Sequence, residues 1–157
     1  MAGNKEFDTL VKSIESKITG YRPSQMTESF NVLSQSWDDS KKIECAKYIF
    51  TTDFEYPENL LNYRILNAIF KKTIKMSEND VVDFCLQYKK HFELFDASGI
   101  KFFVKQVVGA FPKKESKKVI SELEKLLTEI KNANIRFEEQ RAKTKNETME
   151  IIEKYIG

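Results

Sequence analysis

Cys85 and His91 are the residues whose types could form a nucleophile and a general base, but their spacing argues against such a pair. They are six residues apart within an apolar helical pattern, which places them about 240° apart at 100° per residue. His91 is the only histidine in the 157 residues, so a site with several histidine ligands cannot form. We expect His91 at a surface or boundary position, and Cys45 and Cys85 as buried, reduced thiols.

Acidic residues cluster where helices are predicted to begin. Asp38 and Asp39 precede one apolar pattern, and Ser77 with Glu78 and Asp80 resembles a capping box before another. Acids at these places are explained by capping and by the helix dipole. The sequence contains neither a glycine-rich phosphate loop nor a Gly-x-Ser-x-Gly segment. We therefore expect no catalytic residues, no metal and no cofactor, and an enzyme with dispersed carboxylates is the weakest alternative.

Lysines are concentrated in the middle of the chain, where residues 71–118 hold 11 lysines against 6 acids. If the helix ends converge, these lysines form a positive surface for nucleic acid, phosphate or an acidic protein. The opposing interpretation is a solvated face, since lysines at helix C-termini complement the dipole and arginine, which nucleic-acid readers favour, is scarce. The candidate binding residues are Lys71, Lys72, Lys75, Lys89, Lys90, Lys101, Lys105, Lys113, Lys114, Lys117 and Lys118.

Apolar residues recur once per helical turn along the whole chain, and only five glycines and three prolines interrupt them. The pattern predicts an all-α fold, either a compact multi-helix bundle or a short right-handed helical stack with a long C-terminal helix. Within it we expect a first helix over residues 7–18, a loop at 20–26, and a central, buried helix over 58–75. About six helices make up a predicted domain of residues 1–112.

Residues 113–157 form a predicted long C-terminal helical segment, because residues 113–156 contain neither glycine nor proline. Its apolar positions follow near-heptad spacing as far as Phe137, after which the sequence is polar on every side. We expect the first half to dock on the domain and the last part to project. A partner helix, or a second copy in a coiled-coil homodimer, would then meet Phe137, Ile151, Ile152 and Tyr155. The simpler alternative is that the tail returns as a short amphipathic helix with Met149, Ile152, Tyr155 and Ile156 on one face.

The function that these features favour is a non-catalytic module for protein–protein interaction, acting as an adaptor or a regulatory subunit. The expected partner is another protein, with a nucleic-acid or phosphate-binding domain built on residues 71–118 as the alternative. No apolar run approaches 18 residues and the N-terminus lacks an apolar signal core, so we expect no membrane contact. The expected location is the cytoplasm, with the nucleus as the alternative.

Overall fold

The protein is seen here in a computed structural model that describes residues 23–51, 61–92, 95, 97–111, 116–132 and 139–157. Within these ranges the chain forms seven helices and no strand, which confirms the all-α prediction. The predicted first helix over residues 7–18 lies outside the described residues. The chain divides into two compact units, residues 1–72 (unit 1) and residues 73–157 (unit 2).

Three helices make up the described part of unit 1: α1 (Pro23–Leu33), α2 (Asp39–Thr51) and α3 (Leu61–Lys71). Helix α3 packs against both of the others. Its side chains at Ile65, Leu66, Ile69 and Phe70 are buried, as the apolar pattern of this segment predicts. Burial of such side chains removes apolar surface from water and is the main force that holds a small helical unit together.

Two boundaries in unit 1 differ from the predicted ones. The segment 20–26 was expected to be a loop, yet α1 begins at Pro23, because a proline in the first turn of a helix loses no hydrogen bond. The helix expected to reach residue 75 ends at Lys71. Beyond it, the backbone N–H of Ile74 donates to Oε1 of Gln106 at 3.1 Å, so the side chain of another helix replaces the helical partner.

Unit 2 contains α4 (Glu78–Lys90), α5 (Ala97–Ala110), α6 (Lys117–Asn132) and α7 (Glu139–Ile156). Helix α6 packs on α4, α7 packs on α5, and α6 contacts α7. An aromatic cluster joins α4 to α5: the rings of Tyr88 and Phe103 stack with centroids 4.5 Å apart, and Phe84 meets Phe103 edge-on at 6.2 Å. These large side chains are fully buried and form the centre of the unit.

Helix α4 begins with the capping box that the sequence predicts. The hydroxyl of Ser77 accepts from the backbone N–H of Asp80 at 3.1 Å, and the Asp80 carboxylate accepts from the N–H of Ser77 at 3.3 Å. This reciprocal pair satisfies two backbone donors that a helix start leaves without partners. The local sequence therefore determines where α4 begins.

The C-terminal segment packs within unit 2. Helices α6 and α7 pack on α4 and α5, and the contacts divide the chain after Lys72. Helix α7 lies along α5. Its buried face includes Thr148, whose hydroxyl donates to the carbonyl of Thr144 at 2.8 Å. That bond allows a polar residue to face the interior without losing a partner.

Replacing Phe103 by alanine should destabilise unit 2 by about 3–5 kcal/mol, since the change opens a cavity among stacked rings. The measurement is chemical denaturation followed by circular dichroism at 222 nm. Leu86→Ala on α4 is the matched control, because this side chain is 49% exposed and should change stability by less than about 0.5 kcal/mol. Equal effects of the two substitutions would contradict the central position of Phe103.

Candidate functional site

A cavity of about 330 Å³ opens on unit 1 in the described part of the chain. Helix α1 and the turn after it supply most of one wall, α2 contributes a lysine, and the end of α3 completes the lining. We call this site the unit 1 cavity. Its described lining residues are Phe30, Asn31, Val32, Ser34, Gln35, Lys42, Ala68, Ile69 and Lys72.

Local structure places Lys42 at this cavity. The carboxylate of Asp38 accepts from the backbone N–H of Lys41 at 2.8 Å, and the carbonyl of Asp38 accepts from the N–H of Lys42 at 3.2 Å. These bonds begin α2 at a defined residue, which fixes the helical face that carries Lys42. The adjoining Trp37 meets Phe30 edge-on, with ring centroids 5.7 Å apart, and so ties the start of α2 to α1.

The unit 1 cavity is positive and partly apolar. Lys42 and Lys72 are the charged residues among its described lining, and no carboxylate is among them. Val32 stands 74% exposed at the cavity. A site lined by cations and some apolar carbon suits an anionic ligand that also has apolar surface.

The structure describes nine of the eleven predicted lysines, and they occur in both units. Lys71 and Lys72 belong to unit 1, whereas Lys75, Lys89, Lys90, Lys101, Lys105, Lys117 and Lys118 belong to unit 2; Lys113 and Lys114 lie outside the described residues. Two of them link helices within unit 2, since Lys89 pairs with Glu122 at 3.1 Å and Lys101 pairs with Glu147. These two ammonium groups serve internal packing.

Glu122 is the most buried carboxylate among these ion pairs and joins α6 to α4. Its two oxygens accept from Lys89 at 3.1 Å and from Lys125 at 3.2 Å. Burial raises the pKa of the Glu122 carboxyl, but the hydrogen bonds and charges of the two lysines together bring it below its usual value. Near the start of the same helices, the hydroxyl of Ser116 donates to the Glu78 carboxylate at 2.7 Å.

The residues predicted to meet a partner helix are largely inside unit 2. Ile152 and Tyr155 are buried, Ile151 is half-buried, and Phe137 lies outside the described residues. The hydroxyl of Tyr155 donates to the carbonyl of Phe111, and burial raises the pKa of this phenol. A partner that used Ile152 or Tyr155 would have to displace α7 from the rest of unit 2.

The two cysteines and the histidine, for which we expected no catalytic role, lie at buried positions or at a helix end. Cys45 and Cys85 are free and buried, and burial is the main reason that the pKa of each thiol is raised to about 12. His91 ends α4, and burial together with Lys90 lowers its pKa. In the described ranges, no three His, Cys, Asp or Glu side chains come together as a group that could hold a metal ion.

Sequence reasoning missed the unit 1 cavity. Its two lysines are separated by thirty positions, one on α2 and one just after α3, so spacing alone does not connect them. One feature of the sequence could have indicated the cavity. Val32 is apolar but does not belong to the helical stripe of Phe30, Leu33 and Trp37, which packs α1. Asn31 and Gln35, four residues apart on either side of it, supply the polar groups beside this apolar side chain.

Comparison with protein-family models, with curated proteins and with solved structures finds no match to the chain. The described helices include none with the length and apolar content required to pass through a bilayer. The function must therefore be argued from the chemistry of the site itself.

Glu122→Gln should lower the stability of unit 2 by about 1–3 kcal/mol at neutral pH, because two lysines lose a charged acceptor in a buried place. The folded-state pKa of Glu122 is depressed, so its contribution is complete above the unfolded-state pKa and disappears as pH falls through the folded value. Denaturation from pH 7 down to pH 2 would show a wild-type loss in the acid range, below the usual carboxyl pKa, that the variant partly lacks.

Glu124→Gln provides the matched control, since Glu124 is exposed on the same helix. An acid profile for Glu122→Gln that coincides with the wild-type and Glu124→Gln profiles would contradict the role given to Glu122.

Proposed function

We propose that the chain is a non-catalytic helical module that binds an acidic segment of a partner protein at the unit 1 cavity, as an adaptor or regulatory subunit does. The observation that carries this proposal is the cavity's combination of Lys42 and Lys72 with the exposed Val32. Lysine ammonium groups attract carboxylates, and exposed apolar surface is stabilised when a partner covers it.

Apolar lining favours a protein partner over nucleic acid. Val32 is 74% exposed, and a peptide brings apolar side chains that can cover it, whereas a phosphate backbone would leave it in water. Among the lysines counted in favour of nucleic acid, Lys89 and Lys101 are engaged in pairs with carboxylates. These pairs leave fewer ammonium groups for contacts with phosphate.

Side-chain chemistry at the cavity supports binding without catalysis. The described lining residues include no carboxylate, histidine or cysteine, which are the side chains that most often act as general acids, general bases or nucleophiles. Both thiols of the chain are buried with a pKa of about 12, which keeps them protonated and poorly nucleophilic.

A photo-crosslinking amino acid in place of Val32 should label an acidic segment of a partner in the cell that makes this protein. Mass spectrometry of the crosslinked peptide should find several Asp or Glu residues, because two lysines lie beside the label. Lys42→Glu combined with Lys72→Glu should reduce the labelling by about tenfold or more, since reversed charges repel an acidic segment.

Two controls make this experiment decisive. The same crosslinker at Leu86, which is exposed on α4, should not label that segment. Lys117→Glu with Lys118→Glu makes the same change in net charge on exposed residues of unit 2 and should leave labelling from position 32 intact. Absence of labelling from position 32, labelling of nucleic acid, or equal loss in both double variants would overturn the proposed function.

A further inference from the structure

We infer that Ser34 is a ligand-binding residue of the unit 1 cavity. Its hydroxyl donates a hydrogen bond to one oxygen of an Asp or Glu carboxylate, and the other carboxylate oxygen lies at the ammonium group of Lys42. This inference rests on the proposed function and makes it more specific, because it names the two groups that recognise the acidic side chain. Ser34 and Lys42 both line the cavity, and Ser34 is only 6% exposed.

Ser34 differs from the other buried polar residues of the described chain. These are Ser116, Glu122 and Thr148, and the side chain of each forms a hydrogen bond: the first two bond to α4, and Thr148 bonds within its own helix. The hydroxyl of Ser34 has no hydrogen-bond partner among the described residues. A buried hydroxyl needs a replacement for its bonds to water, so one that lines a cavity in this state is suited to a ligand.

The backbone of Ser34 is already engaged, so its side chain is the group available to a ligand. Its N–H donates to the carbonyl of Phe30 at 2.8 Å, and its carbonyl accepts from the N–H of Trp37 at 3.0 Å. The rings of Phe30 and Trp37 are buried and meet edge-on. These contacts hold Ser34 in place before a ligand arrives, which lowers the entropy cost of binding.

Lys42 supplies the ammonium group. Its side chain is half-buried, and no carboxylate of the described residues lies within salt-bridge distance of it. The neighbouring Lys41 lies instead over the ring of Trp37, with its ammonium nitrogen 4.7 Å from the ring centroid. Lys72, which also lines the cavity, is engaged in another interaction, so the contact with the ligand is assigned to Lys42.

One carboxylate satisfies both groups. A lysine ammonium group only donates and a serine hydroxyl can donate, so both bond to a ligand group that accepts at two oxygens. A carboxylate does this with a single negative charge, which matches the single ammonium group of Lys42, whereas a phosphate dianion would retain unpaired charge. A carboxamide has no net charge, and its hydrogen bond with Lys42 is therefore weaker. The selectivity expected of the cavity is for acid over amide and over phosphate.

Small blocked amino acids test this selectivity on the isotope-labelled, full-length protein, with NMR shifts of the backbone amides of Ser34 and Lys42 as the readout. The probes are the N-acetyl amides of aspartate, glutamate and asparagine, and inorganic phosphate. The better acidic compound should bind about tenfold or more tightly than the asparagine compound, because a charge-assisted hydrogen bond is roughly twice as strong as a neutral one. Equal affinities of the acidic and asparagine compounds, tighter binding of phosphate, or absence of shifts at Ser34 and Lys42 would overturn the inference.

Ser34→Ala should weaken binding of the better acidic compound about tenfold, as the loss of a hydrogen bond to a charged group commonly does. The same change should leave stability equal or slightly higher, because the hydroxyl that it removes has no described partner in the free protein. Ser116→Ala is the matched control. It removes a buried hydroxyl that donates to Glu78 in unit 2, so it should lower stability and leave binding unchanged.

Undiminished binding by Ser34→Ala would contradict the role given to this hydroxyl. Weaker binding accompanied by a loss of stability would assign Ser34 a structural role and would also overturn the inference.

Lys42→Gln should abolish the preference for the acidic compound over the asparagine compound, since the remaining groups that bind the ligand are neutral. Lys118→Gln makes the same change at an exposed residue of unit 2 and should leave the preference intact. A preference that survives in Lys42→Gln would show that another cation holds the carboxylate.

The two experiments distinguish this inference from the proposed function. If position 32 crosslinks an acidic partner segment but Ser34→Ala binds the acidic compounds as the wild type does, the assignment of Ser34 is wrong and the proposed function stands. If the acidic compounds bind as expected but no acidic segment is crosslinked in the cell, the cavity has the inferred selectivity and the proposed function is wrong.

Discussion

The stack of Tyr88 on Phe103 is the contact on which the organisation of unit 2 depends, because it joins the two helices to which the others attach. Helix α6 is linked to α4 through Glu122 and Lys89, and α7 is linked to α5 through Lys101 and Glu147. Pairs of bonds along the first of these contacts show that α4 and α6 run in the same direction: Glu78 meets Ser116 at their starts and Lys89 meets Glu122 further along. The aromatic cluster thus holds α4 and α5 where their lysines can reach the carboxylates of α6 and α7.

This arrangement decides which lysines remain for external contacts. A lysine whose ammonium group bonds a partly buried carboxylate, as Lys89 does with Glu122, contributes to packing between helices. By contrast, Lys42 lines a cavity whose described lining includes no acid. The number of lysines in a stretch of sequence is therefore a poor predictor of binding. The carboxylates that lie opposite each lysine are a better one.

Much of the fold could be predicted from the sequence, because apolar residues at helical spacing specify helices and the faces that they bury. The capping box at Ser77 could also be predicted from the sequence, since its hydrogen bonds are local. The docking of α7 was one of two alternatives, because Thr148 is a polar residue by type while its hydroxyl is satisfied inside its own helix. The unit 1 cavity escaped prediction for another reason: Lys42 and Lys72 become neighbours of one space only through the packing of α1, α2 and α3.

The two cysteines have a consequence that follows from their positions. Cys45 is buried in unit 1 and Cys85 in unit 2, and the chain has no third cysteine. Since the thiolate is the species that reacts with alkylating reagents, a buried thiol with a pKa near 12 is protected until its surroundings open. The rate at which each sulfur is alkylated in native buffer therefore measures how often its own unit opens, so the protein carries one natural kinetic probe of local unfolding in each unit.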